Sequence, residues 1–379
     1  MKALLLCNNG VEEFVLWELS SYLGITSAEK LSGGIVFDCD SYEQLFELCY
    51  RSQSANKILA LVGSFDCAKP KQDEILKGIE GMDFSHWINS ERSLAVRSDI
   101  EPINSTSREI EAEAGAIIIE KSSCKVNLSK PQVLVYVTRL ENRCFVGVDI
   151  AGEDLSKREY RIFSGREAIK AVLGAYTFWK SRASKGQTVL DPFCRDGTMT
   201  IEGAHLATHR AVRFHSKEKF LFRRMPAFLG VDFDKLFATI DKQALGEAPY
   251  TIIALDEQFQ HVSSSKKNAK IAGVEKMLKF SRREAEWLDV KFKEGEVDHI
   301  VTFVPQASRS ISPIMLDKII KEFFFQAAYI LSKKGTLTLL TKDPAALEAA
   351  ATYFKFHKTF TEPVAQGAET YFVVGYSRA

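Results

Sequence analysis

Along residues 1–65, apolar and polar positions switch repeatedly between the spacing of a strand and that of a helix. Lys2–Cys7 is a short apolar run that predicts a strand, and Val11, Phe14, Val15, Leu19 and Leu23 recur at helical spacing. Gly33-Gly34 then turns the chain into a second strand at Ile35-Val36-Phe37. Tyr42–Tyr50 is helical, with Leu45, Phe46 and Cys49 on one face, and Ile58–Val62 is a third strand. This order predicts a ferredoxin-like α+β domain over 1–65. Residues 66–150 predict a second α+β unit, with strands at Leu94–Val96, Val133–Val137 and Cys144–Val148 and a helix at Ser107–Lys121. The charged phrase GEDLSKREYR follows, and 151–165 reads as a polar linker.

From 166 to 379 the pattern alternates strictly. Helix Ala168–Trp179 precedes strand Thr188–Leu190, a glycine turn and helix Met199–Ala207. Strand Thr251–Leu255, helix Val262–Ala272 and strand Met277–Phe280 come next. Strand His299–Val304, helix Met315–Leu331 and strands Thr336–Leu340 and Tyr371–Val374 complete the domain. Such alternation predicts an α/β fold with a doubly wound parallel sheet.

A chain of 379 residues, 46% hydrophobic and 26% charged, is expected to hold more than one globular domain. No apolar stretch approaches the ~20 residues of a membrane span, and the apolar run in MKALLLCNNGVEEF is too short for a signal peptide. Both points lead to the expectation of a cytoplasmic protein. The seven cysteines are odd in number and lack CxxC spacing, which argues against a disulfide framework or a zinc site. The pair His205 and His209 lacks further ligands and reads as helix surface, so no metal is expected. Nothing in the pattern indicates an oligomeric state. A net charge of +1 does not announce nucleic-acid binding, so local distribution carries that question.

The sharpest chemical signal is Asp191-Pro192-Phe193-Cys194-Arg195-Asp196-Gly197-Thr198, where an apolar strand ends in an acid and a helix opens after a tight turn. Ligands of open α/β sheets sit beyond such strand ends, where helix N-terminal amides meet anions. An ordinary strand–turn–helix with an Asp cap has the same spacing. The second strand also ends in acids, Asp256-Glu257, well placed for ribose hydroxyls. A solvated loop acid is the alternative.

DPFCRDGTMTIEGA resembles the DPFCGSGT-IEAA signature of RNA methyltransferases that carry a THUMP domain. ALDEQFQHVSSSKKNAKIAGV resembles their second-strand segment, and VGVDIAGEDLSKREYR the end of their THUMP domain. GVEEFVLWEL, GGIVFD and LCYRSQSANKIL resemble the ferredoxin-like domain that precedes it. The resemblance implies ferredoxin-like, THUMP-like and Rossmann-like class I methyltransferase domains, with S-adenosyl-L-methionine as cofactor. It also implies that Asp191, Phe193, Asp196, Gly197 and Thr198 line the methionine end, that Asp256 holds the ribose and Glu284 the adenine amine, and that Ser164 approaches the cofactor carboxylate.

Two motifs depart from the family. Members that methylate an exocyclic amine carry N/D-P-P-Y/F, whose acceptors hold the amine and whose ring stacks on the base. Here the candidate catalytic segment is Phe303-Val304-Pro305-Gln306. The Phe303 side chain has no acceptor and Gln306 cannot stack as tyrosine does, which leaves the Val304 and Pro305 carbonyls. Arg195-Asp196 replaces Gly-Ser, adding a Cβ and a charge at a close approach.

In His209–Arg224, six Lys/Arg stand against one acid, with Phe214, Phe220 and Phe222 interleaved. Arg210, Arg213, Arg223 and Arg224 are candidate RNA contacts with aromatics for stacking. An amphipathic helix with its aromatics in the core is the alternative. Arg158, Arg161 and Arg166 form a second basic stretch. The expected function is methyl transfer to structured RNA, with tRNA at a guanine N2 amine implied by the resemblance. An RNA-binding protein with a degenerate methyltransferase domain is the rival, and a small-molecule methyltransferase the third reading.

Overall fold

The computed structural model describes residues 1–100, 102–165, 168–309 and 311–378, which places Arg166 outside the described residues. Two compact units emerge. One comprises Met1–Leu155 with Ser216–Lys242, the other Ser156–His215 with Gln243–Ala379.

The first unit is built on strands β1 (Lys2–Cys7), β2 (Ala28–Leu31), β3 (Gly34–Asp38), β4 (Ala55–Asp66), β5 (Ser93–Ser98), β6 (Lys125–Val126), β7 (Val133–Leu140) and β8 (Arg143–Asp149). They form one sheet in the order β2-β3-β1-β4-β8-β7-β5-β6. Residues 1–65 and 66–150, expected as separate domains, therefore share a continuous sheet. The twelve-residue β4 joins them, pairing with β1 along one edge and β8 along the other. Gly147 permits that close pairing, because a Cβ there would stand 2.9 Å from the Ala60 carbonyl oxygen. The helix Ser107–Ser122 opens on a capping box, in which the Thr106 hydroxyl accepts from the Glu109 amide and the Glu109 carboxylate accepts from the Thr106 amide.

Residues 216–242 return to this unit. They form short 3-10 turns and the helix Phe233–Asp241, not one amphipathic helix. Phe220, Phe222, Phe233 and Phe237 are buried. Phe222 lies 4.5 Å from Phe46 and Phe237 lies 4.5 Å from Tyr50, ring centre to ring centre. The Leu221 and Phe222 amides donate to Ala151 and Ile150. Burial of aromatic rings is the dominant reason this segment folds here. Phe220 and Phe222 are thereby withdrawn from any role in base stacking.

The second unit carries β9 (Thr188–Asp191), β10 (Thr251–Asp256), β11 (Leu278–Arg282), β12 (Val297–Phe303), β13 (Leu331–Thr341), β14 (Phe356–Gln366) and β15 (Glu369–Arg378), ordered β11-β10-β9-β12-β13-β15-β14. The first five are parallel, but β15 and β14 run antiparallel, so the sheet is mixed at one edge. The sequence pattern missed β14 because an edge strand half in water needs few apolar residues. Helix Pro313–Ile330 covers one face, with Phe323, Phe324 and Ala327 packed in a core with Ile300, Leu337 and Leu339. Strand order reverses between β9 and β12, and the crevice beyond their carboxyl ends is where such folds take ligands.

The expected linker is only partly polar surface. Arg158 and Tyr160 are buried, and both bind Glu202: Arg158 Nε donates at 3.0 Å and the Tyr160 hydroxyl at 2.8 Å. The sequence misled because these polar side chains satisfy one another and need no water. His205 is likewise inside rather than on the helix surface, with burial pushing its pKa down to about 4. All seven cysteines are buried. Among the described residues no helix is long and apolar enough to cross a membrane, and no three His, Cys, Asp or Glu side chains cluster as a metal site.

Candidate active site

Gly197 ends the turn after β9 in the left-handed region (φ +82°) and caps the helix Thr198–Thr208. A Cβ at this position would drive into Ser265, so the turn requires glycine twice over. The turn exposes the acids at its two ends differently. Asp191 is buried, accepting from the Thr302 hydroxyl at 2.5 Å and the Phe193 amide at 3.2 Å, and burial lifts its pKa to about 7. Asp196 accepts from the Thr198 amide and hydroxyl through Oδ1 at 3.2 and 2.8 Å. Its Oδ2 is buried with no hydrogen bond among the described residues, with Arg161 Nη2 3.6 Å away. Such an oxygen suits an ammonium group, because a buried acceptor left unmade is costly.

Asp256 closes β10. It accepts from the Arg195 amide at 3.0 Å and the Gln258 amide at 3.0 Å, and His261 Nδ1 lies 2.9 Å from Oδ1. A cleft of about 770 Å³ opens beside it, lined by Phe193, Asp256, His261, Glu284 and Pro305 among others. A smaller inner cavity, with room for about one water as it stands, is lined by Asp191, Phe193, Arg195, Asp196, Thr198 and Phe303. Ser164 is exposed and lines a further opening with Arg195 and Asp196. The residues expected to touch the cofactor thus divide: Asp191, Asp196 and Thr198 line the inner cavity, Asp256 and Glu284 the outer cleft, Phe193 both, and Ser164 the further opening, while Gly197 shapes the turn. Acids lie toward an inner end and Asp256 with Glu284 toward an outer one, which fits a nucleoside joined to a charged amino-acid tail. Thr302 and His261 were not foreseen as parts of this site, and Arg195 was read only as a departure in the turn. Thr302 reaches Asp191 from β12 across to β9, which no local spacing signals, whereas His261 lies five residues beyond the Asp256 it touches.

The segment after β12 is rearranged. Arg195, also at positive φ (+47°), turns its side chain onto Phe303: Nη1 donates to the Phe303 carbonyl, and Cζ stands 4.4 Å from the ring centre. The Gln306 carboxamide folds back on its own backbone, Nε2 donating to Val304 O at 2.7 Å and Pro305 O at 3.0 Å. Its Oε1 accepts from the Lys342 amide at 3.2 Å. The two carbonyls left as acceptors for a substrate amine therefore already have a donor.

The arginines differ in what each one touches. Arg158 and Arg213 are buried, committed to Glu202 and to the Lys157 carbonyl at 3.0 Å, and cannot meet RNA in this arrangement. Arg161 reaches Asp196. Arg210 lies 4.5 Å over the Phe214 ring, and Arg223 pairs with Asp234 and Glu218, both at 3.1 Å. Arg224 is exposed.

Residues 158–370 match the family described as RMKL-like, methyltransferase domain, and residues 71–149 match the THUMP domain. Of the three domains read from the sequence, the THUMP-like and the methyltransferase domain are thus matched. The tRNA (guanine(6)-N2)-methyltransferase of Methanocaldococcus jannaschii is 26% identical over 347 residues, covering 88% of this chain and 88% of that protein. Ribosomal RNA large subunit methyltransferase K/L of Vibrio cholerae is 26% identical over 318 residues, covering 79% of this chain but only 42% of that longer protein. TrmN from Thermus thermophilus superposes with a TM-score of 0.73 at 21% identity, covering 100% of this chain and 99% of that one. A structure described as a methyltransferase complexed with SAH gives 0.83 at 20%, covering 100% and 98%. At these identities the two structures show the fold.

Proposed function

Because the chain belongs to the RMKL-like methyltransferase-domain family and carries a THUMP domain, we propose that it methylates structured RNA, specifically tRNA at a guanine N2 amine. The observation that carries this reading is the pair of spaces at the ends of β9 and β10, lined by Asp191, Asp196, Asp256 and Glu284. S-adenosyl-L-methionine supplies an electrophilic methyl group there. Asp256 accepts from the ribose hydroxyls, Glu284 from the adenine amine and Asp196 Oδ2 from the ammonium. Ser164 stands at the neighbouring opening, toward the carboxylate. The Val304 and Pro305 carbonyls hold the target amine once Gln306 yields them. The amine sheds its proton late, so positioning is the main contribution and no strong general base is needed. A guanine within a stem must be flipped out to reach this depth. The THUMP domain orients the RNA, and Arg210, Arg223 and Arg224 add charge contacts. The activity that names the M. jannaschii relative supports the choice of tRNA and of N2. Seven buried cysteines without disulfide-framework spacing accord with action in the cytoplasm.

The carboxamide of Gln306 on Val304 O and Pro305 O favours a second reading, an RNA-binding protein whose methyltransferase domain has lost its amine-holding acceptors. Incubation with S-adenosyl-L-methionine and unmodified tRNA transcripts, followed by nucleoside mass spectrometry, separates the two. N2-methylguanosine is expected. Cofactor binding without any methylated nucleoside would instead establish the second reading.

A further inference from the structure

Two of the departures from the family motifs, Arg195 in the first turn and Phe303 at the end of β12, touch each other. They are 108 residues apart in the chain, yet the guanidinium both stacks on the Phe303 ring and bonds its carbonyl. β9 and β12 are neighbours in the sheet, so their carboxyl ends adjoin, and in this chain the Arg195 side chain fills that junction. The outer cleft and the inner cavity have two lining residues in common, Phe193 and Arg195. A ligand with its nucleoside at Asp256 and its ammonium at Asp196 must pass Arg195, and its sulfur lies between those ends. Asp191, held near pKa 7 by burial, supplies only part of a negative charge beside it at neutral pH.

We propose that Arg195 and Phe303 form a latch across this passage, and that the guanidinium makes the site favour the neutral thioether of S-adenosylhomocysteine over the sulfonium of S-adenosylmethionine. The inference rests on the cofactor reading above. A fixed positive charge repels a sulfonium and leaves a thioether indifferent, and the low dielectric of a partly closed site strengthens the difference. The consequence is a site that releases its spent cofactor slowly and is governed by the ratio of the two ligands.

Isothermal titration of the full chain with S-adenosylmethionine, S-adenosylhomocysteine and adenosine tests this without reference to turnover. Arg195→Gly, which also relieves the positive φ, should move the affinity ratio toward S-adenosylmethionine by on the order of tenfold. Arg195→Gln keeps most of the bulk and should produce a similar shift. Adenosine, which stops short of the sulfur, should change less than about twofold. Ligands that bind with an unchanged ratio in both variants would overturn the latch while leaving the cofactor reading intact. Failure of all three ligands to bind wild type and variants alike would overturn the cofactor reading and the latch with it.

Discussion

At the ends of β9 and β10, acids line the two spaces and the buried Asp196 Oδ2 has no donor among the described residues, whereas at the end of β12 three successive carbonyls each receive a donor from this chain's own side chains. Both regions lie at the carboxyl edge of one sheet and are built by the same strand-to-loop geometry. The difference is chemical. The first presents acceptors to a ligand, and the second has its acceptors capped by Arg195 and Gln306. In the proposed function, recognition of the methyl donor and of the methyl acceptor fall to these two regions. The departures from the family reach both, as Arg195 at the first and as Phe303, Val304 and Gln306 at the second.

Asp191 spans the comparison, since it ends β9 yet takes the Thr302 hydroxyl from β12, and it should show the largest effect. Its folded pKa of about 7 lies above the ordinary carboxylate value of about 4. The folded state thus holds a proton that the unfolded state has lost. The stability this provides is complete below about pH 4 and disappears as pH rises through 7. Urea midpoints at pH 5 and pH 8 should differ in that direction, and Asp191→Asn should remove most of the difference. Equal pH dependence in both proteins would mean that the carboxyl is not desolvated as the structure has it.

Next in size is Gly197→Ala, which forces a Cβ into Ser265 at positive φ. A loss of about 3 kcal/mol in unfolding free energy, together with loss of S-adenosylhomocysteine binding, is the expected outcome. A variant of undiminished stability would show that the turn is looser than its contacts imply.

Asp256→Ala strips the partner from the Arg195 and Gln258 amides as well as from the ribose. Calorimetry should show S-adenosylhomocysteine binding weakened by about 1–3 kcal/mol. An unaffected affinity would remove the outer cleft from the cofactor site.

The smallest change in stability belongs to Gln306→Ala, about 0.5–1.5 kcal/mol, and here the sign of a second measurement matters. Freeing the Val304 and Pro305 carbonyls should raise the single-turnover rate on a tRNA transcript. A lower rate would break the comparison, because Gln306 would then be part of how this enzyme holds its substrate.

Much of the donor side was legible in the sequence. The acid-ended strand, Gly197 at the helix start and Asp256 after the next strand are short-range features, set by local backbone demands and by the change from strand to helix period. The same is true of the strand–helix alternation that announces the sheet. Strand β14 escaped because its polar, half-exposed residues carry little period-two signal.

In the segment His209–Arg224, sequence determined only that aromatic and basic residues alternate. Whether Phe222 stacks on a base or fills a core depends on Phe46, 176 residues earlier, and tertiary structure decided for the core. Arg158 shows the same limit, since its charge reads as surface until Glu202 is placed beside it. Sequence likewise showed that Phe303 and Gln306 depart from the amine-holding pattern, but not that their carbonyls are capped. A hydrogen bond or a stacked ring is a relation between positions in space. The chain specifies the donors and rings one residue at a time, and only the folded sheet, by bringing β9 beside β12, decides which of them meet.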